Sequence, residues 1–272
     1  MQKVDRSGWA AGFSVRVYGV KIGIRLNRPE WLDRVWRHLP HGCKVIQSAV
    51  VDRVYSIIIG GEGGHPSSRR SSLLYGDQIR LLRTLNVDEV FDRLESDLRL
   101  FVAELAHDRV FVHAGVVAWE GKAIVIPGRS FSGKSTLVAE LLRAGATYYS
   151  DEYAVFDRRG RVHPFPKDLE MRVSDDWQQT RHAVASFGGR TGVKPIPVGK
   201  ILVTRYRTGG RWRPRQLSQG KAVLALLANT VSARRHPERA LATLQKVVAE
   251  ARTFHGARGE AKQLIPLILK ES

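Results

Sequence analysis

The sequence predicts an α/β protein: a strand–loop–helix–strand core preceded by a small β-rich unit and followed by helices. Three observations carry this. Apolar and polar residues alternate in short runs through the first 60 residues. A glycine-rich loop at residues 128–133 separates an apolar run from an amphipathic one. Beyond residue 220 the apolar positions recur at helical spacing. The 272 residues suffice for one large domain or two small ones, and 43% hydrophobic content is ordinary for a globular chain. The expected division is residues 1–85, the β-rich unit, and residues 86–272, a core domain that begins with a linking helix.

In residues 13–26, Phe13, Val15, Val17, Val20, Ile22, Ile24 and Leu26 alternate with polar or small residues, with a break at Tyr18-Gly19. That pattern is two half-buried strands. A short helix is expected at 30–38, strands at 45–51 and 54–59, and a turn or mobile loop through Gly60-Gly61-Glu62-Gly63-Gly64 and Pro66-Ser67-Ser68. Asn86 is placed to cap a long helix whose apolar face is Val87, Val90, Phe91, Leu94, Leu98, Phe101 and Leu105. A strand at 110–119, a turn at Glu120-Gly121 and a strand at 123–127 come next, then the loop, a helix at 134–143 and one strand through 147–156. Further strands are expected at 162–165 and 200–207, with a loop at 188–192 between them. The remainder reads as helices at 221–233, 238–253 and 260–270, with Pro237 at a helix start, where its missing N–H costs nothing.

Charge is the extreme quantity, +18 overall, and residues 158–258 hold 21 Lys or Arg against 6 Asp or Glu. Such a surface concentrates polyanions, acidic peptides or nucleotides. No nucleic-acid module accompanies it, so nucleic acid is not an expected partner. No apolar run approaches the roughly 20 residues of a membrane span. The first residues lack a signal-peptide core, and the lone Cys43 has no internal partner for a disulfide, so the expected compartment is the cytoplasm. His107, His163, His182, His236 and His255 show no metal-ligand spacing, and with one cysteine no structural zinc site is expected.

Gly128-Arg129-Ser130-Phe131-Ser132-Gly133-Lys134-Ser135 satisfies G-x-x-x-x-G-K-[ST], between strand and helix as that motif requires. Glycines let backbone N–H groups curl around phosphates, and the helix N-terminus adds partial positive charge. Lys134 reaches the β and γ phosphates, the Ser135 hydroxyl can bind Mg²⁺, and Thr136 closes the nucleotide-binding stretch. The cofactors expected from this loop are ATP and Mg²⁺. A transporter-type ATPase would also need an apolar strand ending in Asp-Glu well downstream; the acidic pair here, Asp151-Glu152, follows Ser135 by only 16 and 17 residues.

Around the loop the chain resembles the HPr kinase/phosphorylase family, which shares a core with phosphoenolpyruvate carboxykinases. The loop is one match. His113 in Val112-His113-Ala114-Gly115-Val116 is similar to the family's His-Gly-Val, and Ser150-Asp151-Glu152-Tyr153 to its Ala-Asp-Asp, each at the family's separation from the loop. Leu169-Glu170-Met171-Arg172 is similar to Leu-Glu-Ile-Arg-Gly. The match covers about residues 105–175, with looser similarity through 221–233. The second Asp of the pair is Glu152 here, and the family's segment tied to phosphorolysis is not found. In both respects the chain is closer to peptide-tailoring relatives such as the lasso-peptide kinases.

The resemblance implies a carboxykinase-like mixed sheet and transfer of the γ-phosphoryl of ATP to a hydroxyl. The acceptor implied is a serine or threonine of a peptide or protein, such as a ribosomal natural-product precursor, and the basic segment favours an acidic one. A small-molecule hydroxyl kinase and a nucleotide-binding regulator without kinase activity stand as alternatives; a homo-oligomer is left open. The implied catalytic set is His113, Lys134, Asp151 and Glu152. Glu152 takes the base position by register and Asp151 orders the metal, with the reverse division left open. Glu170 joins Ser135 and Asp151 as an implied Mg²⁺ ligand, and Arg129, Arg172, Lys194 and Lys200 are candidate phosphate or substrate contacts.

Overall fold

Two residues with positive φ, Tyr18 at 48° and Gly19 at 86°, reverse the chain between β1 (Ala11–Val17) and β2 (Val20–Leu26). This is the two-residue turn whose twist matches antiparallel strands. The computed structural model describes residues 8–61, 71–129, 132–172 and 179–270. Most of the expected loop at 60–68 lies outside the described residues. The chain divides into two units, residues 1–107 and 108–272.

In the first unit, a 3₁₀ turn at Pro29–Trp31 leads into α1 (Leu32–Arg37). There follow β3 (Lys44–Ile46), β4 (Arg53–Ile58), β5 (Ser72–Gly76) and β6 (Ile79–Thr84). The six strands form one sheet in the order β3-β1-β2-β4-β5-β6. The strand expected at 45–51 is shorter than its apolar residues suggest, because Val45 and Val50 face solvent. α2 (Val87–Leu105) starts where Asn86 accepts a 2.9 Å hydrogen bond from the Asp88 N–H, and buries Val90, Phe91, Leu94, Leu98 and Val102. It was expected to open the second domain, but it belongs to the first. Its Asp97 accepts from Arg53 Nη1 at 2.9 Å and from the Tyr55 hydroxyl at 2.8 Å, both on β4, so the boundary falls after the helix, at 107/108.

The second unit begins with β7 (Val110–Trp119) and β8 (Lys122–Pro127), joined at Glu120-Gly121, both of positive φ. After the glycine-rich loop come α3 (Lys134–Arg143), β9 (Thr147–Ser150), β10 (Tyr153–Phe156), β11 (Val162–His163), and a separate ribbon of β12 (Leu169–Arg172) and β13 (Gln179–His182). The rest is β14 (Val198–Tyr206), β15 (Arg215–Gln216), α4 (Gln219–Leu227), α5 (Pro237–Glu250), β16 (Arg252–Arg258) and α6 (Ala261–Lys270).

The sheet order is β11-β10-β7-β8-β14-β16-β15, with β9 also on β7. β8, β14 and β16 are mutually parallel and the other pairings antiparallel, so the unit is α/β with a mixed sheet. Successive residues point to opposite faces. Thus Val117, Ile124 and Leu202 pack under α3 and α6, while Val116, Val125 and Ile201 pack under α4 and α5. Two expectations fail here. The strand through 147–156 is two strands with a bend between them, and the C-terminal part is not all helix, because β16 runs between α5 and α6. Among the described residues, no helix is long and apolar enough to cross a membrane.

Candidate active site

The parallel strands β8, β14 and β16 end on the same side of the sheet, and the glycine-rich loop leaves the end of β8 there. That is where open α/β sheets bind ligands. Gly128 donates its N–H to the His113 carbonyl at 3.1 Å, which ties the loop to β7. A Cβ on Gly128 would stand 2.7 Å from the Ser132 hydroxyl, which would have to turn away, so glycine lets the loop close with Ser132 in place. Gly133, at φ 79° in the left-handed region, caps α3 and points Lys134 and Ser135 into the first turn. Gly115 does comparable work from β7: a Cβ there would sit 2.7 Å from Val138, so its absence lets α3 lie close on the sheet. Arg129, Ser132 and Thr136 complete the described part of the loop, while Ser130 and Phe131 lie outside the described residues.

Lys134 Nζ donates to the Arg129 carbonyl at 2.7 Å, which holds the lysine across the loop. Burial pulls its ammonium below the ordinary lysine range, and Asp151 and Glu152 pull it back up. Those two carboxylates sit in the bend between β9 and β10. The Ser150 hydroxyl shapes the bend by accepting the N–H groups of Glu152 at 3.2 Å and Tyr153 at 3.1 Å, and the Glu152 carbonyl accepts from Ala114 of β7 at 3.2 Å. A short serine-capped turn at this point turns both side chains toward the start of α3.

The Asp151 carboxylate accepts from the Ser135 hydroxyl and feels the charges of Lys134 and Lys167. Burial raises its carboxyl to about 6, with Glu152 adding to the shift; the Ser135 hydroxyl and the two lysines oppose it. Its Oδ1 is buried without a hydrogen-bond partner. Such an orphaned acceptor is costly unless something completes it. The His113 ring lies tilted against Tyr153 at 4.7 Å between centroids, with the carboxylate of Glu152 and the ammonium of Lys134 acting on it. Burial lowers its pKa, Glu152 opposes and Lys134 adds, so the imidazole is neutral at pH 7.

Other expected residues are placed elsewhere. The Glu170 carboxylate, on β12, is engaged by Lys167 at 2.8 Å and Arg181 at 3.5 Å. Among the described residues, no three His, Cys, Asp or Glu side chains gather where one ion could touch them all. Lys200 is not a substrate contact: it is buried in β14, and its Nζ donates to the Ile268 carbonyl at 2.6 Å. Lys194 precedes β14 at the end opposite the loop, and the backbone of Arg172 pairs with Gln179. A cleft lined by Trp119, Glu120, Lys122, Lys200 and Arg252 opens at that same far end, and no residue of the loop borders it.

Sequence reasoning missed two residues of the site. Lys167, in the run before β12, pairs with Glu170 at 2.8 Å and its charge acts on Asp151. Arg258, the last residue of β16, is buried, and its Nη2 donates to the carbonyls of Gly133 at 3.0 Å and Ser132 at 3.4 Å. The guanidinium occupies the space that a Cβ on Gly133 would need. The sequence carries little signal for it, because residues 252–258 hold a single large apolar side chain, Phe254. No protein-family model matches the chain, and a search of curated proteins finds no match.

Proposed function

We propose that the second unit is an ATP-dependent phosphotransferase with a carboxykinase-like phosphate loop, passing the γ-phosphoryl group to a serine or threonine hydroxyl of a peptide or protein. The observation that carries this reading is the grouping of Lys134, Ser135, Asp151, Glu152 and His113 at the end of β8. It supplies what transfer to a hydroxyl requires: a phosphate cradle, a metal position, a base, and cations for developing charge.

The loop N–H groups and the start of α3 hold the β and γ phosphates, with Lys134 leaving the Arg129 carbonyl to meet them. The donor set fits Mg²⁺, since a serine hydroxyl and a carboxylate with one unpartnered buried oxygen are hard oxygen ligands, and Mg²⁺ takes few protein ligands beside phosphates and water. Ser135 and Asp151 would hold it, where it would offset charge on the phosphate oxygens. Glu170 would have to leave Lys167 and Arg181 to join them.

Glu152 takes the proton from the acceptor hydroxyl as its oxygen bonds to the γ phosphorus and the bond to the bridging oxygen breaks, leaving ADP. Neutral His113, beside Glu152, can hydrogen-bond the acceptor without adding a charge that would hold the nucleophile's proton. The test supplies γ-labelled ATP, Mg²⁺ and serine- or threonine-containing peptides to the purified chain. Label on peptide hydroxyls is expected. Nucleotide binding without transfer to any acceptor would replace this reading with that of a regulator.

A further inference from the structure

Residues 205–215 hold Arg205, Arg207, Arg211, Arg213 and Arg215 and no carboxylate. All five arginines are exposed, and none has an acidic partner among the described residues. Five like charges in eleven residues repel one another, a cost that a bound anion would offset.

The fold puts this ribbon beside the phosphate loop. Arg205 is the next-to-last residue of β14 and Arg215 begins β15, on either side of β16. Arg205 stands across from Ala257 and Arg215 from His255, two residues apart on β16, so both project from the same face. The connection between them folds over the end of β16, where the Arg258 carbonyl accepts the Arg207 N–H at 2.9 Å and Gly210 packs against the Arg258 backbone. Arg258 is also the residue that holds the Ser132 and Gly133 carbonyls. One side chain therefore separates the ribbon from the loop.

We propose that the ribbon is a docking surface for an acidic segment of the phosphoryl acceptor, a deepening that rests on the transferase reading. The sheet sets the spacing. Glu152 lies against β7; β14 is two strands away and β15 four, which at about 4.8 Å per strand is roughly 10 to 19 Å. An extended peptide covers that distance in about three to six residues. The acidic residues thus belong three to six positions from the phosphorylated hydroxyl. A peptide is favoured over RNA by the ribbon's two rings, both engaged: Trp212 packs on Gly256, and Tyr206 donates to Glu260 at 2.8 Å with its ring against the Arg258 guanidinium. Each ring thus already has one side held by this chain, which reduces the surface left for stacked bases.

The experiment has a binding arm and a transfer arm. The probes are fluorescein-labelled peptides with one serine and a block of glutamates either adjacent to it or three to six residues away on each side, and a control with lysines in the block. The enzymes are the parent chain and R205E/R213E/R215E. By anisotropy the spaced glutamate peptide should bind the parent at least tenfold more tightly than the lysine control, with the preference reversed in the triple variant. In the transfer arm KM should follow the same pattern while kcat and the affinity for ATP stay unchanged. Equal binding of all peptides, or a preference that survives charge reversal, overturns the proposal, as does a single-stranded RNA oligomer that binds the ribbon in place of the peptide. A glutamate peptide that binds as expected but accepts no phosphoryl group upholds the docking surface and sinks the transferase reading instead.

Discussion

In residues 1–107, 16 Lys or Arg face 12 Asp or Glu, and the fold spends these charges internally: Arg53 and Tyr55 on Asp97, Arg34 on Asp88, His38 on Glu95. In residues 108–272 the numbers are 28 and 14, and five of the surplus arginines, those of 205–215, lie exposed at the loop end of the sheet. There Asp151 has an unpartnered buried oxygen, and the arginines of 205–215 have no counter-charge among the described residues. Paired charges fasten α2 onto its sheet, whereas an unpaired one is left open to a ligand. The contrast separates structural from functional polarity without reference to any relative, and it can be tested at both ends.

The largest effect is expected at Lys134. On the proposed function its charge serves the bound phosphates; in the structure it rests on a loop carbonyl. Lys134→Ala should therefore lower phosphoryl transfer by at least roughly 10²- to 10³-fold, the range for losing one preorganised donor to a developing charge. Its thermal unfolding should match the parent's. Normal turnover in a folded variant would remove the loop from the mechanism.

Glu152 comes next. If it is the base, Glu152→Gln should reduce kcat by roughly 10² to 10⁴ and leave the affinity for nucleotide alone. It should also lower the His113 pKa further, because Glu152 is the neighbour that raises it. The histidine's titration, followed by NMR, is independent of turnover and reports whether the two groups interact as the geometry indicates.

The loop, β7, β8 and α3 were legible because each carries a local signal: alternation, a positive-φ turn, glycines at fixed offsets, an apolar face at helical spacing. β16 was not. Residues 252–258 contain one large apolar side chain, Phe254, and the period of α5 runs on into Thr253, so the strand reads as the tail of the helix. Arg258 was lost with it. β5 and β6 were missed for a related reason: arginines interrupt the alternation of β6, which lies at the edge of its sheet and keeps only part of one face dry. The break at Asp151-Glu152 depends on how Ser150 caps two N–H groups, a detail that composition does not encode. Glu170 shows the opposite limit. A motif singles it out in the chain, but its ion pairs with Lys167 and Arg181 come from segments that the motif does not describe.

In the first unit the corresponding test is Asp97→Ala. It strips Arg53 of its buried partner and leaves the Tyr55 hydroxyl without an acceptor. Breaking a largely buried pair from one side costs about 3 to 5 kcal/mol, which should appear as a lower denaturant midpoint for this unit. Replacing Arg53 and Asp97 together by apolar residues of similar size should recover much of the loss, since no charge is then left stranded. Failure to recover would mean that the hydrogen bonds, and not the desolvated charges, hold α2 in place.

The smallest effect, and the sharpest for the comparison, is at Asp151, where stability and ligand binding should move in opposite directions. Its folded carboxyl titrates near 6 against an ordinary value of 3.8, because burial disfavours the charge. Below pH 4 both the folded and unfolded chains keep the proton, and the site costs nothing in charge. Between 4 and 6 the unfolded chain ionises while the folded one resists, so stability falls as pH rises. Above 6 the full penalty is in place, about 1 to 3 kcal/mol for a shift of this size. Asp151→Asn has no such titration. Relative to the parent it should gain stability from pH 4 upward and reach its full advantage above pH 6, as followed by denaturant unfolding across that range. Mg²⁺-dependent nucleotide affinity, measured by calorimetry with a nonhydrolysable analogue, should rise in the parent to a plateau above about pH 6 and stay weak in the variant throughout. A variant less stable than the parent at pH 7.5 would show that the carboxylate is satisfied by the fold. Asp151 would then belong with the paired charges of the first unit.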